Sequence, residues 1–170
     1  MDLLKAAGLL FVAALLQLSV ITQYPPFRTS SIVLVVLLSI ALLRGSVFGA
    51  VAGFGVGLLL DIATLGTLGV TALLFTVAGF WIGRYGETTA RDRFHAPFTS
   101  VAVITVLYSL GTLALGFVLG QPAPAGAYLA GLPATVLLNL VLTWPVYASV
   151  RRLLPPADVL DRVHEVRLLG

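Results

Sequence analysis

The sequence predicts an all-α membrane protein, a compact bundle of six transmembrane helices, from three observations. Hydrophobic residues make up 59% of the 170-residue chain and charged residues only 10%, whereas soluble domains average about 25% charged residues. The hydrophobic residues form long runs, and a helix needs roughly 17–25 of them to cross a bilayer core about 30 Å thick. The basic residues collect in alternate connecting segments between these runs. Together these features indicate that lipid is the solvent of most of the surface.

Six apolar runs, separated by proline, glycine or charged residues, are the predicted spans. Pro25 and Pro26 separate the first two runs, and proline favours the first turn of a helix that follows. Arg44 and Gly45 interrupt the second and third runs, which are short and could instead form one bent unit, so five spans is the alternative count. In chain order the runs cover residues 3–21, 27–43, 45–60, 67–82, 97–119 and 127–150.

The basic residues predict the orientation of these spans. An even number of spans places both termini on one side, and Arg28 is then the only basic residue on the opposite side. Cytoplasmic segments of membrane proteins carry the excess of Lys and Arg, so both termini are predicted to be cytoplasmic. The nine residues on that side are Lys5, Arg44, Arg84, Arg91, Arg93, Arg151, Arg152, Arg162 and Arg167.

The chain divides into a transmembrane domain, residues 1–150, and a cytoplasmic tail, residues 151–170. After Pro156 the tail could form a short amphipathic helix, because its valines and Leu160 would share one face. Such a helix would either lie on the membrane surface or provide a docking surface for a cytoplasmic partner.

Small residues recur at every fourth position in several runs. In lipid, helices gain little from apolar burial, and close approach at small residues supplies the attraction instead. Either these stripes face one another inside the bundle, or one of them receives a helix from another protein. The third run carries Gly45, Gly49, Gly53 and Gly57, the fourth Gly79 and Gly83, the fifth Gly116 and Gly120, and the sixth Gly131, Thr135, Asn139 and Thr143.

Asp61 is the only charged residue between Arg44 and Arg84. It falls at the predicted outer end of the third span, where it is the first residue of a turn predicted at residues 61–66. A carboxylate is unfavourable at a helix C-terminus, which already carries partial negative charge, so another group should offset it. Asp61 could accept backbone N–H bonds within the turn, as Asp often does, or it could pair with Arg28, the only basic residue predicted on that side.

Catalytic chemistry is not indicated by the residues. The chain has no cysteine, and neither of its two histidines, His95 and His164, has a partner at metal-ligand spacing. The glycine-dense stretch at residues 49–57 lies within a span, so it is not a phosphate-binding loop. Asp61 is the single candidate for an intramembrane relay, and a proton path usually needs more than one group. We therefore predict no enzyme, no metal and no cofactor.

One segment resembles a known family. The stretch GLLLDIATLGTLGVTAL, residues 57–73, followed by Gly79 and Gly83, is similar to the bacterial rod shape-determining protein MreD family. Chain size, span number, the proline-marked first outer loop and the basic tail agree with that family. Its recognisable marks are present here as Asp61, Gly66, Leu68 and Gly69.

The resemblance implies a non-enzymatic inner-membrane scaffold of the elongation complex that builds the lateral cell wall. Its implied partners are MreC first, and then MreB, RodA and the transpeptidase partner of RodA. It also implies a fold similar to the substrate-binding component of energy-coupling-factor transporters, which suggests a vitamin-binding function as the alternative. A vitamin site needs several converging polar groups, and the outer side offers few: Asp61, Arg28, Gln23, Gln121 and some Ser and Thr.

Overall fold

The computed structural model describes residues 2–19, 31–90, 95–120 and 125–154. Within these ranges all regular structure is helical and no strand occurs, which confirms the predicted all-α class. A single turn of π-helix, Gly86–Ala90, extends the fourth helix. The six α-helices in these ranges are α1 (Asp2–Ser19), α2 (Ile32–Arg44), α3 (Ser46–Ala63), α4 (Val70–Tyr85), α5 (Ala96–Val118) and α6 (Ala125–Leu153).

Three of the described helices are long and apolar enough to cross a bilayer unaided. They are α3, α5 and the part of α6 from Leu129 to Leu153, whereas α1 and α2 are apolar but shorter. At 13 residues, α2 is about 20 Å long, which is less than the hydrocarbon thickness of about 30 Å. The helices therefore agree with a membrane protein, and the count of six spans stays a prediction.

Helix α2 lies at the centre of the bundle. Every residue from Val33 to Leu43 is buried, and the helix contacts α1, α3, α4, α5 and α6. The reason is in its sequence, because a helix that is apolar on all sides has no face suited to solvent and is found in the core. Its one internal polar side chain, Ser39, donates a hydrogen bond to the carbonyl oxygen of Val35 at 2.8 Å.

The surrounding helices expose apolar side chains on their outer faces. Phe54 of α3, Trp81 of α4, Val103 of α5 and Leu137 of α6 are all exposed. A water-soluble protein of this size would rarely present such a continuous apolar surface. These faces are suited to lipid.

The described basic residues lie at one end of the bundle. The end of α1 contacts the start of α2 through Gln17, and α4 ends where α3 begins. Helices α5 and α6 are joined by a short connection, so the chain reverses at each step. The basic end therefore contains the start of α1 and the last turns of α2, α4 and α6, with Lys5, Arg44, Arg84, Arg151 and Arg152.

Several helix boundaries differ by a few residues from the sequence prediction, and two of these differences concern predicted features. The prediction that a turn begins at Asp61 is wrong, because α3 continues through Asp61 to Ala63 and the hydroxyl of Thr64 then donates to the carbonyl oxygen of Leu60 at 2.8 Å. Helix α2 begins at Ile32 instead of near residue 27, since Ser31 is its N-cap and accepts a bond from the N–H of Leu34. Arg28 and the predicted tail helix lie outside the described residues.

Candidate functional site: a helical hairpin capped at both ends

Helices α3 and α4 form an antiparallel hairpin (residues 46–85) whose backbones touch. A Cβ atom built on Gly49 would meet the carbonyl of Gly79, and one on Gly53 would meet the carbonyl of Phe75. On Gly57 it would come within 2.5 Å of the Cα of Ala72, closer than real Cβ atoms approach. The structure thus places three members of the third-run stripe against α4 of the same chain.

Gly45, the first residue of that stripe, has a different role. It connects α2 to α3 with φ +97°, a backbone conformation that side-chain-bearing residues rarely adopt. Its N–H donates to the carbonyl oxygen of Ala41 at 2.8 Å, and Gly83 packs directly against its backbone. The fourth-run stripe, Gly79 and Gly83, packs against the third-run stripe. At Gly120 of the fifth run and Gly131 of the sixth run, an added Cβ would meet nothing.

Asp61 caps the start of α4. Its Oδ2 accepts the N–H of Gly69 at 2.8 Å and that of Ala72 at 3.3 Å, and its Oδ1 accepts the N–H of Thr71 at 3.2 Å. The first N–H groups of a helix have no partner inside the helix and carry partial positive charge. The N-terminus of α4 therefore offsets the unfavourable position of Asp61 at the end of α3.

Gly69 makes this cap possible. It is the N-cap residue of α4, with φ +94° in the left-handed region, and it brings no side chain of its own. A carboxylate from α3 takes the place that a Ser or Asp side chain usually fills at an N-cap. Gly66 belongs to the same connection, and its N–H donates to the backbone carbonyl oxygen of Asp61 at 3.1 Å. The sequence allowed two partners for Asp61, backbone N–H groups of the turn at residues 62–69 or Arg28. Gly69 belongs to that turn, whereas Thr71 and Ala72 lie beyond it in α4. Pairing with Arg28 falls outside the described residues.

Glu87 caps the other end of the hairpin. Its Oε1 accepts the N–H of Ser46, the first residue of α3, at 2.7 Å and the hydroxyl of Ser46 at 3.0 Å. Arg84 lies 3.7 Å from the second oxygen of Glu87. Glu87, which follows α4, thus caps the start of α3, and Asp61, near the end of α3, caps the start of α4. Sequence reasoning missed Glu87, although one signal was present: both helices are preceded by a glycine, which cannot cap them with a side chain.

Asn139 lies in a second polar cluster, at the start of α2. Its Nδ2 donates to Oγ1 of Thr105 on α5 at 3.1 Å, and its Oδ1 accepts the N–H of Ser31 at 3.2 Å. Oε1 of Gln17 on α1 accepts the N–H of Val33 at 3.1 Å and the hydroxyl of Ser31. Ser31 and Val33 at the start of α2 are buried, and buried backbone N–H groups need hydrogen-bond partners. Side chains from α1 and α6 satisfy them.

The polar groups of both clusters bind helix ends. In the described ranges, no three His, Asp or Glu residues come together as metal ligands. Asp61 and Glu87 lie at opposite ends of α4, which has 16 residues and is about 24 Å long. The chemistry of this arrangement is therefore structural: it fixes two helices in register.

Comparison with protein-family models identifies a related family. The model of the family described as rod shape-determining protein MreD matches residues 5–155, from the first turn of α1 to just beyond α6. This match confirms the resemblance carried by residues 57–83. Comparison with curated proteins and with solved structures finds no match.

Replacing Gly53 by alanine should force α3 and α4 apart. We expect Gly53→Ala to lower the free energy of unfolding by about 1–3 kcal/mol, the usual range for overpacking, because the backbone of Phe75 cannot yield as a side chain can. The matched control is Gly55→Ala, two residues away in the same helix, where an added Cβ would meet nothing. Thermal unfolding in detergent measures both variants. Equal loss of stability in the two would show that the close approach is unimportant.

Removing the two caps should destabilise the hairpin unequally and independently. Asp61 is 3% exposed and accepts three N–H groups, so Asp61→Asn should cost about 1.5–3 kcal/mol, as for bonds to charged groups. Glu87 has a side chain 35% exposed, so Glu87→Gln should cost less. The double variant should equal the sum, because the sites are far apart. A greater loss for Glu87→Gln, or strong coupling, would contradict this description of the caps.

Proposed function

We propose that this chain, which belongs to the MreD family of rod shape-determining proteins, is a non-enzymatic scaffold of the bacterial elongation complex in the inner membrane. In this role it supports MreC and lateral peptidoglycan synthesis, and so maintains the rod shape of the cell. The observation that carries the proposal is the family match, which extends over residues 5–155.

The capped hairpin supports a mechanical role. Asp61 and Glu87 are bound to backbone N–H groups of the opposite helix, and Asn139 is bound to the start of α2. Asp61 is the residue that the sequence offered for a relay, and each of these three described side chains binds a helix end. A scaffold benefits from this arrangement, because a rigid framework presents partner surfaces in a constant geometry.

The partners follow from the family. MreC is the first partner proposed, with MreB, RodA and the transpeptidase partner of RodA as the wider complex, and membrane lipid around all of them. Glycines Gly49, Gly53 and Gly57 are engaged inside the chain. We therefore propose that partner helices pack on other, outward faces of the bundle.

Vitamin binding remains the alternative function, through the predicted likeness to the substrate-binding component of energy-coupling-factor transporters. Such a site needs convergent polar groups facing a ligand. The charged residues predicted on the outer side are Asp61 and Arg28, and of these two the described residues include Asp61. Its carboxylate already accepts three N–H groups. This contact favours the scaffold over the vitamin binder.

Six spans with both termini in the cytoplasm complete the proposal. Fusions of a periplasm-active reporter should be active after Gln23, Thr64 and Ala123, and inactive after Glu87 and at the C-terminus. The physical reason is that the described basic residues lie at one end of the bundle, which positive-inside insertion places in the cytoplasm. Activity at both Glu87 and the C-terminus would reverse the orientation, and opposite readings at the two termini would exclude an even number of spans.

Depletion of the protein in a rod-shaped host should give round, swollen cells and should mislocalise MreC. Microscopy with fluorescent MreC measures both effects. Re-expression of the wild type or of Gly55→Ala should restore rods, whereas Gly53→Ala should restore them poorly, because its hairpin cannot close. Unchanged rods together with lost uptake of one vitamin would favour the alternative function.

A further inference from the structure

A groove of about 550 Å³ runs between α4 and α5 on the outer surface of the bundle. It forms because α4 packs chiefly on α3 and α5 on α6, so the two helices touch each other only in part. They meet where Leu74 approaches Gly111, since a Cβ on Gly111 would lie 2.6 Å from Leu74. From there the groove extends to Tyr85 and Thr99. The groove therefore ends near Leu74, where α4 and α5 meet, and in the other direction it continues to the end of the bundle that carries Arg84.

The groove has the length of one membrane leaflet. Leu74 and Tyr85 mark its extent on α4, and eleven residues of helix span about 16 Å. Half of the hydrocarbon core is about 15 Å. A spanning helix would need the whole thickness and a width of roughly 10 Å. These dimensions fit an acyl chain better than a helix from another protein.

Ser100 supplies an unpaired hydroxyl in this groove. The residue is 4% exposed, and its Oγ has no hydrogen-bond partner among the described residues. On the same helix, Ser109 and Thr112 donate to the carbonyl oxygens four residues earlier, at 2.9 and 2.8 Å. For Ser100 that carbonyl belongs to Ala96, which accepts the hydroxyl of Thr99 instead. A buried hydroxyl without a partner is costly, so a ligand acceptor here would remove the penalty.

We propose that the groove binds one glycerophospholipid from the leaflet at the Arg84 end of α4. An acyl chain occupies the groove, and an ester carbonyl of the lipid accepts a hydrogen bond from Ser100, which lies in the second turn of α5 near that end. The side chain of Arg84, 64% exposed in the last turn of α4, is a suitable cation for the phosphate. Trp81, exposed on the groove wall, is of the type enriched at membrane interfaces.

A second groove of similar size does not support the same inference. It lies between α1 and α3, with a volume of about 660 Å³, and all of its lining residues are apolar. It therefore has no lining hydroxyl that could donate a hydrogen bond to an ester carbonyl of a lipid. The unpaired hydroxyl distinguishes the α4–α5 groove.

The test measures lipid bound to the full-length protein. Protein purified in mild detergent is titrated with phosphatidylglycerol, and bound lipids are counted by native mass spectrometry. Ser100→Ala should weaken binding of the first lipid roughly threefold to tenfold, the value of one hydrogen bond. Val103→Trp should abolish it, because Val103 is exposed on the groove wall and indole would fill the space.

The matched controls lie on the same helix. Ser109→Ala removes a hydroxyl that already has a carbonyl partner, and Val106→Trp adds indole at an exposed position outside the groove, so both should bind lipid as the wild type does. In lipid-free detergent Ser100→Ala should melt no lower than the wild type, because it loses no internal bond. Equal lipid binding by Ser100→Ala, Ser109→Ala and the wild type would overturn the proposal. So would a Val103→Trp protein that keeps its lipid but loses a co-purifying spanning partner.

Discussion

Close backbone contact between α3 and α4 is the constraint on which the rest of the structure depends. In lipid the tails are as apolar as the side chains, so helices associate through packing and hydrogen bonds instead of apolar burial. Glycine at 49, 53 and 57 lets the two backbones touch, and the carboxylates of Asp61 and Glu87 hold each helix start against the end of the other. Both the separation and the register of the hairpin are therefore fixed.

At the centre of the bundle, backbone N–H groups at the start of α2 also need hydrogen-bond partners. Helix α2 is apolar on every side and buried from Val33 to Leu43, so its first N–H groups require partners inside the protein. Gln17 and Asn139 provide them from α1 and α6. Side chains from other helices thus satisfy the starts of α2, α3 and α4. This shared solution links the helices to one another.

The contacts of α5 are different in kind. It packs on α6 and is tied to Asn139 through Thr105, but along α4 it leaves an apolar groove. The protein therefore combines a rigid hairpin with a neighbouring surface that lipid completes. A phospholipid in that groove would be part of the framework, because it would fill the space between the two halves of the bundle. Stability would then depend on the surrounding membrane as well as on the chain.

The sequence by itself determined the helices, because hydrophobic runs and the prolines, glycines and charges between them are local properties. The six observed helices lie within a few residues of the six runs, apart from the late start of α2. The four-residue spacing was enough to identify the glycine stripe of the third run. The absence of any other charged residue between Arg44 and Arg84 was enough to identify Asp61 as a candidate. Only the tertiary structure decided that the stripe faces α4, that Glu87 is the counterpart of Asp61, that α2 is central and that the Ser100 hydroxyl has no partner among the described residues. These features depend on which helices pack together. In a membrane protein the helix faces are similarly apolar, so the sequence does not show which faces contact each other.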